Sequence, residues 1–148
     1  LERQKGSRHR SKLLRSLVLG PYDKAADKEV PNSWICCNRE VGEEYNTNQL
    51  CGFNFTINGY LNLFSLLQET YSKKNWLLSK PDLPILFVAG ALDPVIGGEK
   101  GWQESLDFMG QMGYTQIHAQ LYQGLRHEIL NEENRSLIFS DLLKWIMD

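Results

Sequence analysis

Residues 85–89 of this 148-residue chain, Ile-Leu-Phe-Val-Ala, form a short unbroken apolar run entered through Pro84 and left through Gly90. The run is too short for a helix and has a breaker at each end. Its β-branched and aromatic content predicts a strand buried on both faces, as in the middle of a parallel sheet. A parallel strand needs a crossover connection, so the expected fold class is α/β. Just past the glycine lies Asp93, followed by Pro94, which blocks continuation into a helix. Open α/β sheets keep their chemistry on loops beyond the carboxyl ends of such strands, and Asp93 is the first candidate site residue.

The segment that follows supplies the crossover and a second strand. Ile96, Gly97 and Gly98 predict a turn, and Trp102, Leu106, Met109 and Met112 then recur on one face of a helix that Gly113 closes. From 115 to 122 the pattern alternates, with Ile117, Ala119 and Leu121 opposite Gln116, His118 and Gln120. That period predicts a half-exposed strand with His118 on the surface. His127 then falls on the loop after this strand, one βαβ step beyond Asp93, and is the second candidate site residue. Each has an ordinary alternative: Asp-Pro is a common turn former, and His127 has Glu128 beside it as a local partner. Asp107 and Asp141 fall on polar faces of helices. The last helix, from about Asn134, is expected to turn Ile138, Leu142, Trp145 and Ile146 toward the core. Glu132 and Glu133 would sit at its positive end.

Upstream, Leu13, Leu14, Leu17 and Val18 give a short helical stripe that Gly20-Pro21 is expected to stop. Residues 22–31 read as a loop and 34–45 as a short helix. Thr56 is a plausible N-cap for a longer helix carrying Ile57, Tyr60, Leu61, Phe64, Leu67 and Tyr71, with Leu63 and Leu66 widening the apolar face. A face that wide suits a lid over an acyl-binding groove, or equally packing onto the main domain. Pro81 and Pro84 mark the return to the sheet, so two units are expected: a helical cap segment over 1–80 and a core over 81–148. The basic residues Arg3, Lys5, Arg8, Arg10 and Lys12 read as a solvated chain end, with attraction to anionic headgroups as the alternative.

Composition excludes several classes. A hydrophobic fraction of 42% with 11% aromatics fits a globular chain, and a net charge of −2 argues against a nucleic-acid binder. No apolar run reaches the length of a membrane span. Cys36, Cys37 and Cys51 fit no zinc spacing and read as reduced thiols of a cytoplasmic protein. No metal or cofactor is expected.

An acid and then a histidine, on loops after successive strands, match the last two members of a Ser…Asp…His order. The phrases "PILFVAGALDPV" and "LYQGLRHEILNE", with "LVLGPYDK" and "LCGFNFTINGYLNLFSLL" upstream, resemble the C-terminal part of serine hydrolases of the lysophospholipase and monoacylglycerol-lipase branch of the α/β-hydrolase superfamily. The resemblance covers most of the chain. It implies the last two parallel strands of that fold with flanking helices, plus a helical cap, and a triad in which Asp93 orients His127. The G-x-S-x-G elbow that such a triad requires does not occur in these residues. The expectation is therefore a C-terminal portion of a serine carboxylic-ester hydrolase, inactive alone, whose serine lies outside the chain. Its substrate would be a monoacylglycerol or lysophospholipid, handled in the cytoplasm or at the membrane periphery. Two alternatives stand beside it: an aminopeptidase or amidase of the same fold, and a truncated, non-catalytic interaction module. The missing N-terminal part, or a second copy, would cover the strand edge left open at 85–89.

Overall fold

The computed structural model describes residues 2–147. Four helices precede the long one: α1 (Glu2–Lys5), α2 (Lys12–Val18), α3 (Gly20–Ala25) and α4 (Arg39–Thr47). Then come α5 (Ile57–Thr70), β1 (Ile85–Gly90), α6 (Gly98–Gln111), β2 (Ile117–Tyr122) and α7 (Arg135–Met147). The two strands pair in parallel, with Ile85 opposite Ile117 and Gly90 opposite Tyr122, and α6 is the crossover between them. No helix among the described residues is long and apolar enough to cross a membrane.

The sheet is held from both faces. Phe87 of β1 meets Trp102 of α6 edge to face, with ring centroids 6.1 Å apart. Val88 packs with Leu125 and Leu142 around the buried Tyr122, Ile129 and Ile138, so α7 covers the opposite side. Even so, Ile85, Leu86, Phe87 and Val88 are only half-buried, and burial is complete only at Ala89 and Gly90. A strand buried on both faces needs sheet neighbours on both edges, and β1 has one, β2, among the described residues.

Local chemistry explains most element ends. Thr56 caps α5 by accepting a hydrogen bond from the Gly59 N–H at 3.0 Å, and Ile57 N donates to His9 O at 2.9 Å, tying the helix start to the chain near residue 9. Only Ile57 and Tyr60 of α5 are buried, while Leu61, Phe64, Leu66 and Leu67 remain exposed along its wide apolar face. Gly113, at φ +100°, follows α6 as expected.

Three readings need correction. Gly20-Pro21 does not end helical structure but begins α3, because a proline in the first turn loses no intrahelical hydrogen bond; the expected 22–31 loop starts only after Ala25. The helix expected over 34–45 runs instead from Arg39 to Thr47, capped by the Asn38 side chain. Trp34, Ile35 and Cys36 form a buried turn, packed by Tyr22, Val41 and Tyr45. In α7, Ile138 is buried, but Ile146 is 70% exposed, beyond the reach of the core around Tyr122.

Candidate active site

Asp93 is placed by the end of β1. Ala91 N donates to Tyr122 O and Leu92 N to Leu125 O, both at 2.9 Å, so the chain leaving β1 is stitched to the chain leaving β2. The two oxygens of Asp93 divide their work. Oδ1 accepts from Val95 N at 2.8 Å and caps the turn Pro94–Ile96, while Oδ2 lies 2.8 Å from His127 Nδ1. The turn-forming and histidine-holding readings of Asp93 are therefore both realised in one residue. Its side chain is 5% exposed, whereas that of His127 is 41% exposed.

His127 is reached through Gly124, at φ +76°, and its own N–H points to Trp34 O at 3.5 Å. The Trp34 ring lies against the imidazole with centroids 5.5 Å apart and planes tilted by 51°. Glu128, the local alternative partner, is engaged elsewhere: its N–H donates to Ile35 O at 2.8 Å, and its carboxylate accepts from Asn131 Nδ2 at 2.7 Å. His118 is exposed, as expected.

The hydrogen bond to Asp93 raises the His127 pKa above its ordinary value; partial burial pulls the other way, and the Asp93 charge adds to the rise. With Nδ1–H donated to Asp93, a neutral imidazole carries its lone pair on Nε2, which makes no hydrogen bond among the described residues. A base oriented in this way accepts a proton at one nitrogen while the carboxylate stabilises the resulting cation at the other.

The approach of the two loops demands glycine at the end of β1. A Cβ on Gly90 would sit 2.2 Å from Arg126 O and 2.3 Å from Leu125 O, both backbone atoms with no side-chain freedom to yield. Gly90→Ala is therefore expected to push the 125–127 loop away from Asp93. The cost is about 1–3 kcal/mol of overpacking, read as a lower Tm. The His127 titration, followed by NMR, should fall back toward its ordinary value; an unchanged titration would show that the loop has slack the geometry does not indicate.

The histidine loop is also laced to residues 33–37, a connection the sequence did not announce. Arg126 Nη1 donates to Ser33 O and, at 3.4 Å, to Cys36 O. Glu132 precedes α7 as expected, and its carbonyl accepts from Arg135 N at 3.1 Å, but the residue is 1% exposed and its carboxylate is turned to other donors, Cys37 N and Arg126 N, each at 3.0 Å. Its only trace in the sequence is its place within "LYQGLRHEILNE". Beside it, burial and then the Glu132 charge push the Cys36 thiol up to about 11, although a hydrogen bond at Asn38 opposes the rise. Trp34 also lines an apolar cavity of about 280 Å³ with Val18, Leu19, Phe53, Phe55 and Tyr60. Among the described residues no group of three or more His, Cys, Asp or Glu side chains is placed to hold a metal ion.

Comparison with known proteins places the chain in a family. The family model described as serine aminopeptidase, S33 (Hydrolase_4) matches residues 5–134. Among solved structures, a thermostable carboxyl esterase from Bacillus coagulans in complex with glycerol superposes with a TM-score of 0.79 at 20% identity, covering 97% of this chain and 47% of the esterase. A lipase in an open form gives 0.73 at 20% identity, with 91% of this chain and 44% of the lipase covered. The monoacylglycerol lipase of Paleococcus ferrophilus gives 0.61 at 14% identity, with 94% and 55% covered. The chain thus spans about half the length of the structures it matches. A search of curated protein sequences finds no significant match. With two parallel strands, flanking helices and a family model spanning most of its length, the chain belongs to the serine aminopeptidase S33 family and has the fold of part of an α/β-hydrolase.

Proposed function

We propose that this chain carries the acid and the base of a Ser-Asp-His triad in a serine carboxylic-ester hydrolase, with Asp93 and His127 in those roles. The observation that carries the reading is the 2.8 Å contact between a buried carboxylate and a half-exposed imidazole. No G-x-S-x-G occurs in the 148 residues, so the nucleophile is assigned to a segment preceding Leu1 in a longer polypeptide. Residues 1–80 act as the cap and 81–148 as part of the catalytic core. The unshared edge of β1 is where the remaining strands would join.

In this mechanism the serine hydroxyl attacks the ester carbonyl and passes its proton to His127 Nε2. Asp93 holds the Nδ1–H and stabilises the imidazolium. His127 then protonates the leaving alcohol, and water enters by the same route to release the acid. The apolar cavity that shares Trp34 with the imidazole supports an acyl chain as the group held beside the reacting carbonyl. We assign the substrate to monoacylglycerol- or lysophospholipid-like esters. Three free thiols support action in a reducing compartment, the cytoplasm or the inner membrane surface.

The family's description as serine aminopeptidase favours one competing reading, an amidase or aminopeptidase using the same pair. The longer polypeptide, treated with a fluorophosphonate, is expected to be labelled at a serine upstream of Leu1 and to hydrolyse monoacylglycerols faster than amino-acid amides. Labelling with the opposite preference would select the peptidase reading. An absence of labelling would remove the serine mechanism altogether.

A further inference from the structure

We propose that Glu132 is a positioning residue for His127: its buried carboxylate joins the backbone of the histidine loop to residues 34–37 and so fixes the imidazole against Asp93. The proposal rests on the reading of Asp93 and His127 given above. Glu132 is 1% exposed and forms no ion pair with a lysine or arginine among the described residues. A carboxylate buried without a cation is costly, and it persists only where hydrogen bonds to the charged form replace water. Two backbone N–H groups donate to it, and the Cys36 and Cys37 thiols also lie within hydrogen-bond reach of the carboxylate. Oε1 accepts from both Cys37 N and Arg126 N, and Oε2 from Cys37 N, each at 3.0 Å.

These donors lie on either side of the site. Arg126 immediately precedes His127, and Cys37 ends the segment whose Trp34 ring lies against the imidazole. Contacts running the other way close the frame: Arg126 Nη1 to Ser33 O and Cys36 O, Glu128 N to Ile35 O, and Cys37 Sγ to Gly124 O. Without the carboxylate, Cys37 N and Arg126 N lose their acceptor at a part-buried point, and the two segments have reason to part. The imidazole then keeps Asp93 in reach but not in register. Since α7 begins only at Arg135, and none of its N–H groups donates to this carboxylate, a helix-dipole role does not account for the burial.

The test uses the full-length polypeptide that contains residues 1–148. Glu132→Ala is expected to lower kcat by about 10–100-fold with KM within twofold, the scale of a displacement near 1 Å. It should also move the His127 titration, and with it the acid limb of kcat/KM, toward the ordinary histidine value. Glu132→Gln keeps an Oε1 able to accept from both N–H groups, while its NH₂ replaces the Oε2 that faces Cys37 N, so it is expected to fall between the parent and the alanine variant in both quantities. If the alanine variant does not fold, Glu132→Asp, one methylene short of both donors, is expected to shift titration and kcat in the same direction. A lower Tm with titration and kcat unmoved would overturn the proposal and leave Glu132 a purely structural residue. Asp93→Asn is the control: if it too leaves the titration unmoved, the Asp93–His127 reading fails, whereas a shift in that variant alone refutes only the role of Glu132.

Discussion

His127→Ala is expected to lower kcat for ester hydrolysis in the longer polypeptide by about 10⁶-fold while leaving the fold nearly intact, because in the proposed triad the residues act as a unit and losing the base costs about as much as losing all of it. The structural cost is small by comparison. The side chain is 41% exposed, and its one hydrogen bond among the described residues, to Asp93, is of a kind that contributes about 1 kcal/mol. Asp93 keeps its bond from Val95 N at 2.8 Å, so its buried carboxylate is not stripped of donors. Two measurements separate the effects: kcat falls to the background of binding and oxyanion stabilisation, while the Tm shifts by a few degrees. His118, exposed on β2, is the internal control, and its alanine variant should retain the full rate. A rate within tenfold of the parent in folded His127→Ala protein would remove the histidine from the mechanism.

Asp93 and His127 were legible because their positions follow from the strands. A short apolar run bounded by Pro84 and Gly90, and an alternating run ending at Tyr122, each deliver the next polar residues to the same sheet edge. Side-chain period and chain breakers carry that information locally. Burial of β1 was overestimated for a related reason. The composition of residues 85–89 records the environment of a strand with two neighbours, and the described residues supply one.

What the sequence concealed involves partners distant along the chain. Glu132 looked like a helix-terminus charge, since acids before α7 satisfy a local rule, yet its carboxylate is taken by Cys37 N, 95 residues away. A backbone N–H has no side-chain identity to read, so such a partner leaves no mark in composition or spacing. Trp34, Ile35 and Cys36 misled for the converse reason. Apolar residues beside a helix-forming stretch resemble its first turn, but their burial against Tyr22, Val41 and Tyr45, with Asn38 capping α4, keeps them outside it. The Gly20-Pro21 pair shows a third limit: the same dipeptide ends one helix or begins the next, depending on where the following residues find support.

Asp93→Asn separates charge from shape at the same contact. The asparagine oxygen can still accept from Val95 N, so the turn Pro94–Ile96 is kept, but the group facing His127 Nδ1 becomes an NH₂ donor. Two donors cannot face each other at 2.8 Å, and the imidazole answers by moving its proton to Nε2, the nitrogen proposed as the base. The expected fall in kcat is about 10⁴-fold, with KM little changed. The variant also has a pH signature of defined sign. In the parent the Asp93 hydrogen bond raises the His127 pKa above 6.5, so the acid limb of kcat/KM lies above that value; without the carboxylate it moves down. For stability, a histidine whose folded pKa exceeds its unfolded one contributes stability fully below the unfolded value and loses it as pH rises through the folded one. Parent Tm should therefore decline through the window that begins near pH 6.5, and the asparagine variant should lack that decline. At 41% exposure solvent screening keeps the slope modest, so the comparison is between the two proteins at each pH rather than with an absolute value. Matching pH profiles of kcat/KM and Tm in the two proteins would mean that the 2.8 Å contact holds the turn and the histidine in place without setting the protonation of the base.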